Sequence, residues 1–390
     1  MKIILITSRV PYTLEKGDKL RIYHHLKELS KNNEIHLFAF DFEKKGDKNL
    51  ESLQKICKTI TIIKHSNIKK YFNVIIAFFK GLPLQVGFFY SNKTKKLFLK
   101  KISEIQPDHI YTHLIRTSEY VKNVNISKTL DLADAISLNL QRSSKKVSFF
   151  KKIIYEIEAK RAKKYENYIF DKFDNKLLVS ESDRKFIPHE NRNEIFIIPM
   201  GVNFNQFQPK ISVKDIDILF SGNMKYFPNI DGALFLIEEI LPLLLLKKKD
   251  IKIMIAGTNP PNKIMKYASN NIIVTGWVKD IAECYNRAKI SVAPMRVGTG
   301  LQNKILEAMA MKLPCITTEL SNRSLNAENN QEIIIANDKN EIADAVLNLL
   351  NNNELYEKIA NNAYAFVRKN FIWEEIGKYL NEIIQNTKKK

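Results

Sequence analysis

The stretch VGTGLQNKILEAMA, residues 297–310, follows a short apolar strand and runs through two glycines directly into a helix-like segment. A glycine loop in front of a helix lets backbone N–H groups approach a diphosphate closely, and the helix dipole favours negative charge there. Lys304 lies one turn into the predicted helix and can reach the same phosphates. Glu307, three residues later, can accept hydrogen bonds from ribose hydroxyls. The two glycines alone are also typical of an ordinary turn with a surface Lys–Glu pair, but the extended string is more specific.

Strand and helix signals alternate on both sides of this stretch. Several predicted strands end in glycine or proline at the carboxyl edge, where ligands bind in open α/β sheets. The alternation predicts an α/β fold with parallel sheets that carry helices on both faces. The predicted strands are residues 2–7, 34–40, 60–63, 109–112, 129–132, 176–179, 217–220, 252–256, 272–275, 289–293 and 314–317.

The chain has 390 residues, which is too long for one ordinary core and suits two α/β domains of near-equal size. We predict a first domain over residues 1–205 and a second over residues 206–370, with the linker near 200–213. An amphipathic helix over residues 371–390 has its own aromatic start, and we expect it to leave the second domain and pack on the first.

The net charge of +20 is unevenly placed along the chain. Residues 1–205 contain 38 lysines and arginines against 22 aspartates and glutamates, a net of +16, whereas residues 206–390 carry only +4. A polyanion is the natural partner of such a first half, and anionic lipid headgroups and nucleic acid are both candidates. A lysine-rich genome explains the total about as well, but it explains the asymmetry less well.

The cysteines and the apolar runs of the sequence indicate the cellular compartment. Cys57, Cys284 and Cys315 are far apart and odd in number, which argues against a disulfide framework or a zinc site and fits a reducing cytosol. The apolar start is shorter than a signal peptide needs, and no apolar run reaches the roughly 18–20 residues that span a bilayer. We therefore expect a cytoplasmic protein that can lie peripherally on the inner face of the cell membrane.

The string at residues 297–310 resembles the donor-binding motif of the family 4 glycosyltransferases, whose two-domain fold is called GT-B. The resemblance extends over nearly the whole chain, through IFIIPMGVN (195–203), GNMKYFPN (222–229) and VTGWVKD (274–280). In the first half, residues 17–19 (GDK) and 131–135 (DLADA) resemble the sugar-transferase subgroup of exopolysaccharide and surface-polysaccharide loci. The resemblance implies two Rossmann-like domains with a cleft between them and a C-terminal helix that crosses back to the first domain.

The resemblance also implies a set of site residues, with the donor in the second domain. It gives catalytic roles to His113, Lys304 and Glu307; for His113, the alternative is an ordinary polar loop histidine. On the acceptor side we expect Gly17, Asp18, Lys19 and Arg116, the first three in a loop that closes over the donor or the acceptor. The expected donor-binding residues are Gly222, Asn223, Lys225, Val278, Arg296, Gly298, Thr299, Gly300, Leu301, Lys304 and Glu307.

Two departures from the family pattern bear on this site. The family spaces two glutamates eight positions apart; Glu307 matches the second, but Thr299 stands in place of the first, so the transferred sugar stays open. The basic pair that usually holds the diphosphate appears here as Asn223 and Asn229. Because an uncompensated buried anion is costly, we expect Lys225, Arg296 and Lys304 to supply the missing positive charge.

The resemblance implies a retaining transfer that uses neither a metal nor a cofactor besides the nucleotide-diphosphate sugar. In this picture fixed dipoles and charges stabilise the leaving diphosphate, which can itself take the proton of the acceptor. Asp215-Ile216-Asp217 has the D-x-D spacing of metal-dependent transferases. Its place at the start of a strand predicts a structural role instead.

Two segments mix aromatic and aliphatic residues with lysines, at residues 69–90 and 148–164. Basic amphipathic segments can lie in the interface of an anionic membrane, although helices with one core face and one solvated face give the same pattern. Together with the charge, they favour a lipid-linked saccharide acceptor in capsule, exopolysaccharide or O-antigen synthesis, with an anionic membrane surface as a further partner.

Two other functions compete with sugar transfer as interpretations of the sequence. A nucleotide-sugar epimerase of the same fold needs a cluster of carboxylates and histidines, and the sequence offers few. A non-catalytic nucleic-acid-binding protein needs basic and aromatic residues clustered on a small module, whereas the basic residues here are spread over a sheet-rich domain. We therefore expect no nucleic-acid partner.

Overall fold

The structure, a computed structural model, describes residues 1–12, 14, 16–41, 50–64, 67–144, 148–298 and 300–387, and for residues 67–71 the backbone only. The chain forms two compact units. The first unit contains Met1–Pro199 together with Trp373–Lys390, and the second contains Met200–Ile372. The chain thus changes unit at Pro199 and at Ile372, a few residues from the boundaries expected at 205 and 370.

The first unit is built on a seven-stranded sheet. Its strands are β1 (Lys2–Thr7), β2 (Glu34–Asp41), β3 (Thr59–Lys64), β4 (His109–His113), β5 (Lys128–Ala133), β6 (Asn175–Leu178) and β7 (Phe196–Ile197). They pair in parallel in the order β3-β2-β1-β4-β5-β6-β7. Ile3, Ile4, Leu5 and Ile6 expose no surface, because both faces of a parallel sheet are covered.

Helices connect these strands and cover the sheet of the first unit. They are α1 (Gly17–Leu29), α2 (Glu51–Gln54), α3 (Asn67–Phe79), α4 (Leu84–Phe89), α5 (Asn92–Ile105), α6 (Ile136–Ser144), α7 (Phe149–Phe170) and α8 (Glu181–Arg184). Aromatic rings fill much of the core beside β2. Phe38 packs on Phe98, and Phe40 packs on Tyr120.

The second unit repeats this plan with six strands. They are β8 (Ile216–Ser221), β9 (Ile253–Ala256), β10 (Ile272–Gly276), β11 (Ala288–Ala293), β12 (Cys315–Thr317) and β13 (Ile334–Ile335). They pair in parallel in the order β10-β9-β8-β11-β12-β13. Its helices are α9 (Phe227–Phe235), α10 (Leu241–Lys247), α11 (Asn262–Met265), α12 (Ile281–Arg287), α13 (Asn303–Ala310), α14 (Glu319–Leu325), α15 (Lys339–Asn351) and α16 (Asn353–Asn370). Within the described part of the chain, no helix is long and apolar enough to cross a membrane.

Both sheets reverse their strand order at one point. In the first unit β1 lies between β2 and β4, and in the second unit β8 lies between β9 and β11. Ligands of doubly wound sheets bind outside the carboxyl ends of the strands at this reversal. The prediction of an α/β fold with two Rossmann-like domains is confirmed, and the topology directs attention to the ends of β1 and β4 and of β8 and β11.

The apolar pattern of residues 230–246 predicts one helix with a kink at Pro242, and the structure interrupts this helix. A π turn, Leu236–Ile240, joins α9 to α10 just before Pro242. Proline has no N–H to donate to the carbonyl four residues back, and its ring clashes with that carbonyl. The kink expected at Pro242 takes the form of a π turn ahead of the proline.

The last helix, α17 (Trp373–Thr387), belongs to the first unit and packs on α1. The Trp373 ring stacks on His24 with 4.4 Å between the ring centroids. A Cβ on Gly377 would lie 2.2 Å from the Cβ of Glu28, so only a glycine permits this close contact between the two helices. Farther along, Asn33 donates a hydrogen bond of 2.8 Å to Asn381.

Candidate functional site

The carboxyl ends of β8 and β11 form the candidate donor edge of the second unit. The loops after β8 and β9 meet here, backbone against backbone. A Cβ on Gly257 would lie 1.8 Å from the carbonyl oxygen of Gly222, and Gly257 has a φ of +143° that side chains rarely adopt. Glycine is therefore required at this point to hold the turn after β8 close to the sheet.

The stretch at residues 297–310 enters this edge as a loop followed by α13. Gly298 and Gly300 have φ values of +121° and +73°, which favour glycine. In the described residues α13 begins at Asn303 without a side-chain cap, so its first N–H groups are available to an anion. Leu301 is half-buried between the loop and the helix, and Thr299 lies outside the described residues.

Lys304 is buried in the first turn of α13. Its Nζ donates a hydrogen bond of 2.7 Å to Oδ1 of Asn229 and lies 4.2 Å from the centre of the Phe220 ring. Burial lowers the pKa of this lysine to about 7, and the nearby Glu307 opposes the shift. The side-chain amide of Asn229 thus fixes the ammonium group of Lys304 at the edge of the sheet.

Glu307 lies one turn further along α13. Its carboxylate accepts a hydrogen bond of 2.9 Å from the hydroxyl of Tyr285, and this hydroxyl lies 2.7 Å from Oγ of Ser221. Burial raises the pKa of Glu307, while Tyr285 and Lys304 oppose the rise. The chain Ser221–Tyr285–Glu307 therefore fixes the carboxylate but leaves part of it available to a ligand hydroxyl, since Glu307 is only half-buried.

Asn223 and Asn229, which replace the family's basic pair, bond to each other. Nδ2 of Asn229 donates to the carbonyl oxygen of Asn223 over 2.9 Å, and Oδ1 of Asn229 accepts from Lys304. Asn229 thus links the turn after β8 to α13. Its position beside Lys304 was not predicted from the sequence, because the two residues are 75 positions apart.

The remaining predicted donor-binding residues lie at this end of the unit and differ in their exposure and in their partners. Lys225 is exposed, and Val278 is half-buried after β10. Arg296 is held by Asp231 at 2.9 Å and by Glu239 at 3.1 Å, and its guanidinium lies 4.3 Å from the Phe235 ring. Because two carboxylates already neutralise Arg296, Lys304 and Lys225 are the stronger candidates for the phosphates.

The D-x-D spacing falls at the amino end of β8. Asp215 pairs with Arg287 at 2.6 Å, and Asp217 pairs with Lys289 at 2.8 Å. These contacts account for both aspartates as structural groups. In the described residues no group of three or more histidines, cysteines, aspartates or glutamates is placed to hold a metal ion.

The acceptor-side residues predicted in the first unit are placed differently from the expectation. Gly17, Asp18 and Lys19 form the first turn of α1 and do not form a loop, because the helix begins at Gly17. Asp18 pairs with Arg9 at 2.5 Å, and the buried Lys19 donates to the carbonyl of Tyr12 at 3.3 Å. Arg116 is half-buried and donates to Gln85 over 3.0 Å.

His113 ends β4 at the reversal point of the first sheet. It is buried, and its Nε2 has no hydrogen-bond partner in the described residues. Burial lowers its pKa to about 4, although Asp131 and Asp18 oppose the shift. The imidazole is thus neutral at pH 7 and has one buried nitrogen without a partner in the described residues, and Leu114 after it has a strained φ of +67°.

A buried ion pair, not predicted from the sequence, lies beside His113. Arg21 of α1 donates two hydrogen bonds to Asp131, of 2.8 and 3.1 Å, and a third of 2.6 Å to the carbonyl of Ile198. Asp131 also accepts from the hydroxyl of Tyr111 at 2.8 Å, and Arg21 holds the pKa of Asp131 below its usual range. An arginine in an amphipathic helix and an aspartate ending a strand were the available signals.

Asp134 is a second residue that was missed at this edge. It follows Ala133, whose φ of +60° is unusual for a residue with a side chain, and it is half-buried. Burial, and then the charge of Asp183, raise the pKa of Asp134 to about 7. The first unit therefore presents a neutral imidazole and a weakly acidic carboxyl at the carboxyl ends of β4 and β5.

Known proteins resemble the chain in sequence and in fold. The family described as Glycosyl transferases group 1 matches residues 215–352, which lie in the second unit. An uncharacterized 44.6 kDa protein in the cps region of Klebsiella pneumoniae is 26% identical over 95% of this chain and 96% of its own length.

Solved structures share the fold over almost the entire length. Sucrose-phosphate synthase from Thermosynechococcus elongatus has a TM-score of 0.72 at 15% identity, covering 99% of this chain and 98% of that one. Anabaena HepE in complex with UDP-glucose has a TM-score of 0.68 at 14% identity, covering 99% of this chain and 100% of that one. The chain is therefore a glycosyltransferase with the GT-B fold, and its second unit contains a glycosyltransferase group 1 domain.

Proposed function

We propose that the protein transfers a sugar from a nucleotide-diphosphate sugar to a lipid-linked saccharide during surface-polysaccharide synthesis. The observation that carries the proposal is the start of α13 behind Gly298 and Gly300, where the described residues provide no side-chain cap, with the buried Lys304 in its first turn. Backbone N–H groups, a helix dipole and a cation together form a site for a diphosphate.

The donor class follows from these groups and from a relative. The carboxylate of Glu307 lies one turn beyond Lys304, at a spacing that suits a ribose hydroxyl beside a bound diphosphate. HepE, which shares the fold, is named as a complex with UDP-glucose. We take a uridine diphosphate sugar as the first donor to test, with guanosine and thymidine diphosphate sugars beside it.

The reaction that we propose retains the configuration of the transferred sugar and uses no metal. The bond between the anomeric carbon and the diphosphate breaks, a bond to the acceptor oxygen forms, and the acceptor proton goes to the departing phosphate. Lys304 and the N–H groups of α13 stabilise the negative charge that develops on the diphosphate. His113, neutral at pH 7, accepts or donates a hydrogen bond to a sugar hydroxyl.

The acceptor proposal rests on a relative and on charge. The Klebsiella pneumoniae relative is named for the cps region, and the first half of this chain carries +16 of the net charge. A saccharide on a polyprenyl diphosphate is anionic and is presented at a membrane, which suits a basic first unit. We infer that the protein works at the cytoplasmic face of the membrane.

The test is a panel of nucleotide-diphosphate sugars, read first by thermal stabilisation and then by product analysis with membrane lipid extract as the acceptor. We expect one base to stabilise the protein and its sugar to appear on lipid, at an unchanged rate in EDTA. An epimerised free nucleotide sugar as the sole product contradicts the proposal, as does binding of DNA without any nucleotide sugar.

Matched variants locate the activity in the second unit. We expect Glu307→Gln and Lys304→Met each to reduce kcat/KM at least one hundredfold, because both remove groups from the diphosphate–ribose site. Glu283→Gln and Lys263→Met change exposed residues of α12 and α11 and serve as controls with rates near that of the unchanged protein.

A further inference from the structure

Two helices of the first unit expose large apolar side chains. On α3 they recur at helical spacing, at Phe72, Ile75, Ile76 and Phe79, and Phe79 is 82% exposed. On α7 they occupy one side of its first half, and Phe150 is 80% exposed. The exposed residues of α7 are Phe149, Phe150, Ile153, Ile154 and Ile157.

The two apolar stripes adjoin each other at Arg161. Arg161 continues the α7 stripe by one turn beyond Ile157, and its guanidinium lies 4.3 Å from the centre of the Phe78 ring at the end of α3. It also donates a hydrogen bond of 3.1 Å to the carbonyl oxygen of Phe78. This contact places the end of α3 beside α7, and we refer to the exposed residues of α3 and α7 named above together as the α3–α7 face.

Exposed lysines lie on or next to the two helices of the α3–α7 face. Lys80 follows α3, and Lys151, Lys152 and Lys160 project from α7. The sequence of α3 contains no acidic residue.

The acidic residues of α7 do little to offset this charge. The exposed Glu156 has its carboxylate 3.9 Å from Nζ of Lys152, while Glu158 turns inward and accepts from the backbone N–H of Leu84 at 2.8 Å. The face thus combines aromatic and aliphatic side chains with net positive charge.

We propose that the α3–α7 face binds the surface of an anionic lipid bilayer. Exposed phenylalanines and isoleucines enter the boundary between headgroups and acyl chains, and the lysines around them meet the anionic headgroups. A patch of this kind left in water is unfavourable, so an occupant is expected. The role of this membrane contact rests on the proposed function, because the protein would meet a lipid-linked acceptor at a membrane. Membrane binding itself can be measured without sugar transfer.

The experiment is sedimentation of the full chain with sucrose-loaded vesicles of phosphatidylcholine, with or without 30% phosphatidylglycerol. We expect binding to the phosphatidylglycerol vesicles that weakens at high salt. The double variant Phe79→Ser with Phe150→Ser changes exposed positions, so its fold is preserved, and we expect its partition coefficient to fall at least tenfold. Lys151→Gln with Lys152→Gln should mainly reduce the dependence on salt.

Val213→Ser with Leu246→Ser is the matched control, since these residues of the second unit are 82% and 79% exposed. We expect this variant to bind vesicles like the unchanged protein. Equal loss in both double variants, or no preference for phosphatidylglycerol, overturns the inference. So does a dimer in sedimentation velocity that Phe79→Ser with Phe150→Ser dissolves, because the face would then bind a second copy.

Thermal stabilisation by UDP, GDP and TDP is measured on the same preparations. Protein that binds a nucleotide but no vesicles contradicts the membrane inference and leaves the proposed function standing. Protein that binds vesicles but no nucleotide supports the membrane inference and contradicts the proposed function.

Discussion

Lys304 combines two properties that rarely occur together in a lysine. It is buried at the edge of a sheet, and in the described residues its nearest polar contact is the neutral amide of Asn229 at 2.7 Å. A buried ammonium without a carboxylate in contact loses solvation, which lowers its pKa to about 7. A diphosphate that arrives at the start of α13 supplies the missing negative charge and favours the protonated form.

Nucleotide affinity should therefore depend on pH above neutrality. In the free protein Lys304 loses its proton as the pH rises through about 7, whereas in the complex the proton is retained to higher pH. Binding then takes up a proton, and we expect UDP affinity to fall about tenfold between pH 7 and 8.5. Calorimetric titration across this range, in which the phosphate of UDP is already ionised, measures the effect.

The variant Lys304→Arg serves as the control for this titration. Its guanidinium stays charged throughout, so whatever affinity remains should not change with pH. A flat pH profile for the unchanged protein would show that Lys304 is not the group that titrates on binding.

Arg21 and Arg287 offer a second comparison at the scale of single residues. Both hold an aspartate with two hydrogen bonds, Arg21 in the core of the first unit and Arg287 at the surface of the second. Removal of Arg21 leaves Asp131 charged and buried, which should cost about 3–5 kcal/mol of the free energy of unfolding. An exposed pair contributes only about 0.5 kcal/mol.

Thermal unfolding of Arg21→Met and Arg287→Met tests this difference. We expect a large fall in Tm for the first variant and almost none for the second. Similar Tm values for the two variants would contradict the larger contribution of the buried Arg21–Asp131 pair to the free energy of unfolding.

At the scale of elements, the turn after β9 packs so closely on the turn after β8 that it leaves no room for a side chain at Gly257. Replacement of Gly257 by alanine forces a Cβ against the Gly222 carbonyl at a φ of +143°. We expect Gly257→Ala to lose about 2–4 kcal/mol of unfolding free energy and to weaken nucleotide binding, because the turn after β8 must move. In contrast, Gly17→Ala meets nothing within 4 Å and should change the stability of the first unit little.

Calorimetry of both glycine variants provides the measurement. A Tm of Gly257→Ala equal to that of Gly17→Ala would contradict the close approach of the two loops.

Most elements could be predicted from the sequence because their signals are local. Apolar runs such as Ile3–Ile6, and glycines that follow a strand, are recognised within a few consecutive residues. These signals predicted two parallel sheets. The π turn before Pro242 was foreseen as a kink but not in its form, since proline indicates disruption without its geometry. The short strands β7 and β13 have two residues each, too few for a pattern.

The candidate site could be predicted only in part for a related reason. The glycines, Lys304 and Glu307 stand within one stretch of ten residues and were found together. Asn229 with Lys304, and Arg21 with Asp131, are 75 and 110 positions apart and meet only when the sheets form. Likewise, the sequence could not show that Asp231 and Glu239 already occupy Arg296.

At the scale of the whole molecule, the two units contain different functional groups. The second unit contains the candidate donor edge, while the first carries most of the positive charge, the buried Arg21–Asp131 pair and the α3–α7 face. Since each unit has its own sheet and core, a nucleotide should stabilise the second unit in particular.

Calorimetry with UDP at about one hundred times its Kd should therefore raise the unfolding free energy of the second unit by about 2.7 kcal/mol. Limited proteolysis during heating identifies which unit opens. Stabilisation of the first unit alone would contradict this division of roles.

We propose that the diphosphate of the donor binds at the start of α13 in the second unit. Hydrogen–deuterium exchange with and without the nucleotide diphosphate that stabilises the protein tests this placement. We predict slower exchange at residues 300–307 and in the turn at residues 222–229, an effect that is lost in Glu307→Gln at the same nucleotide concentration. Protection confined to the first unit, with residues 300–307 unchanged, would contradict the account.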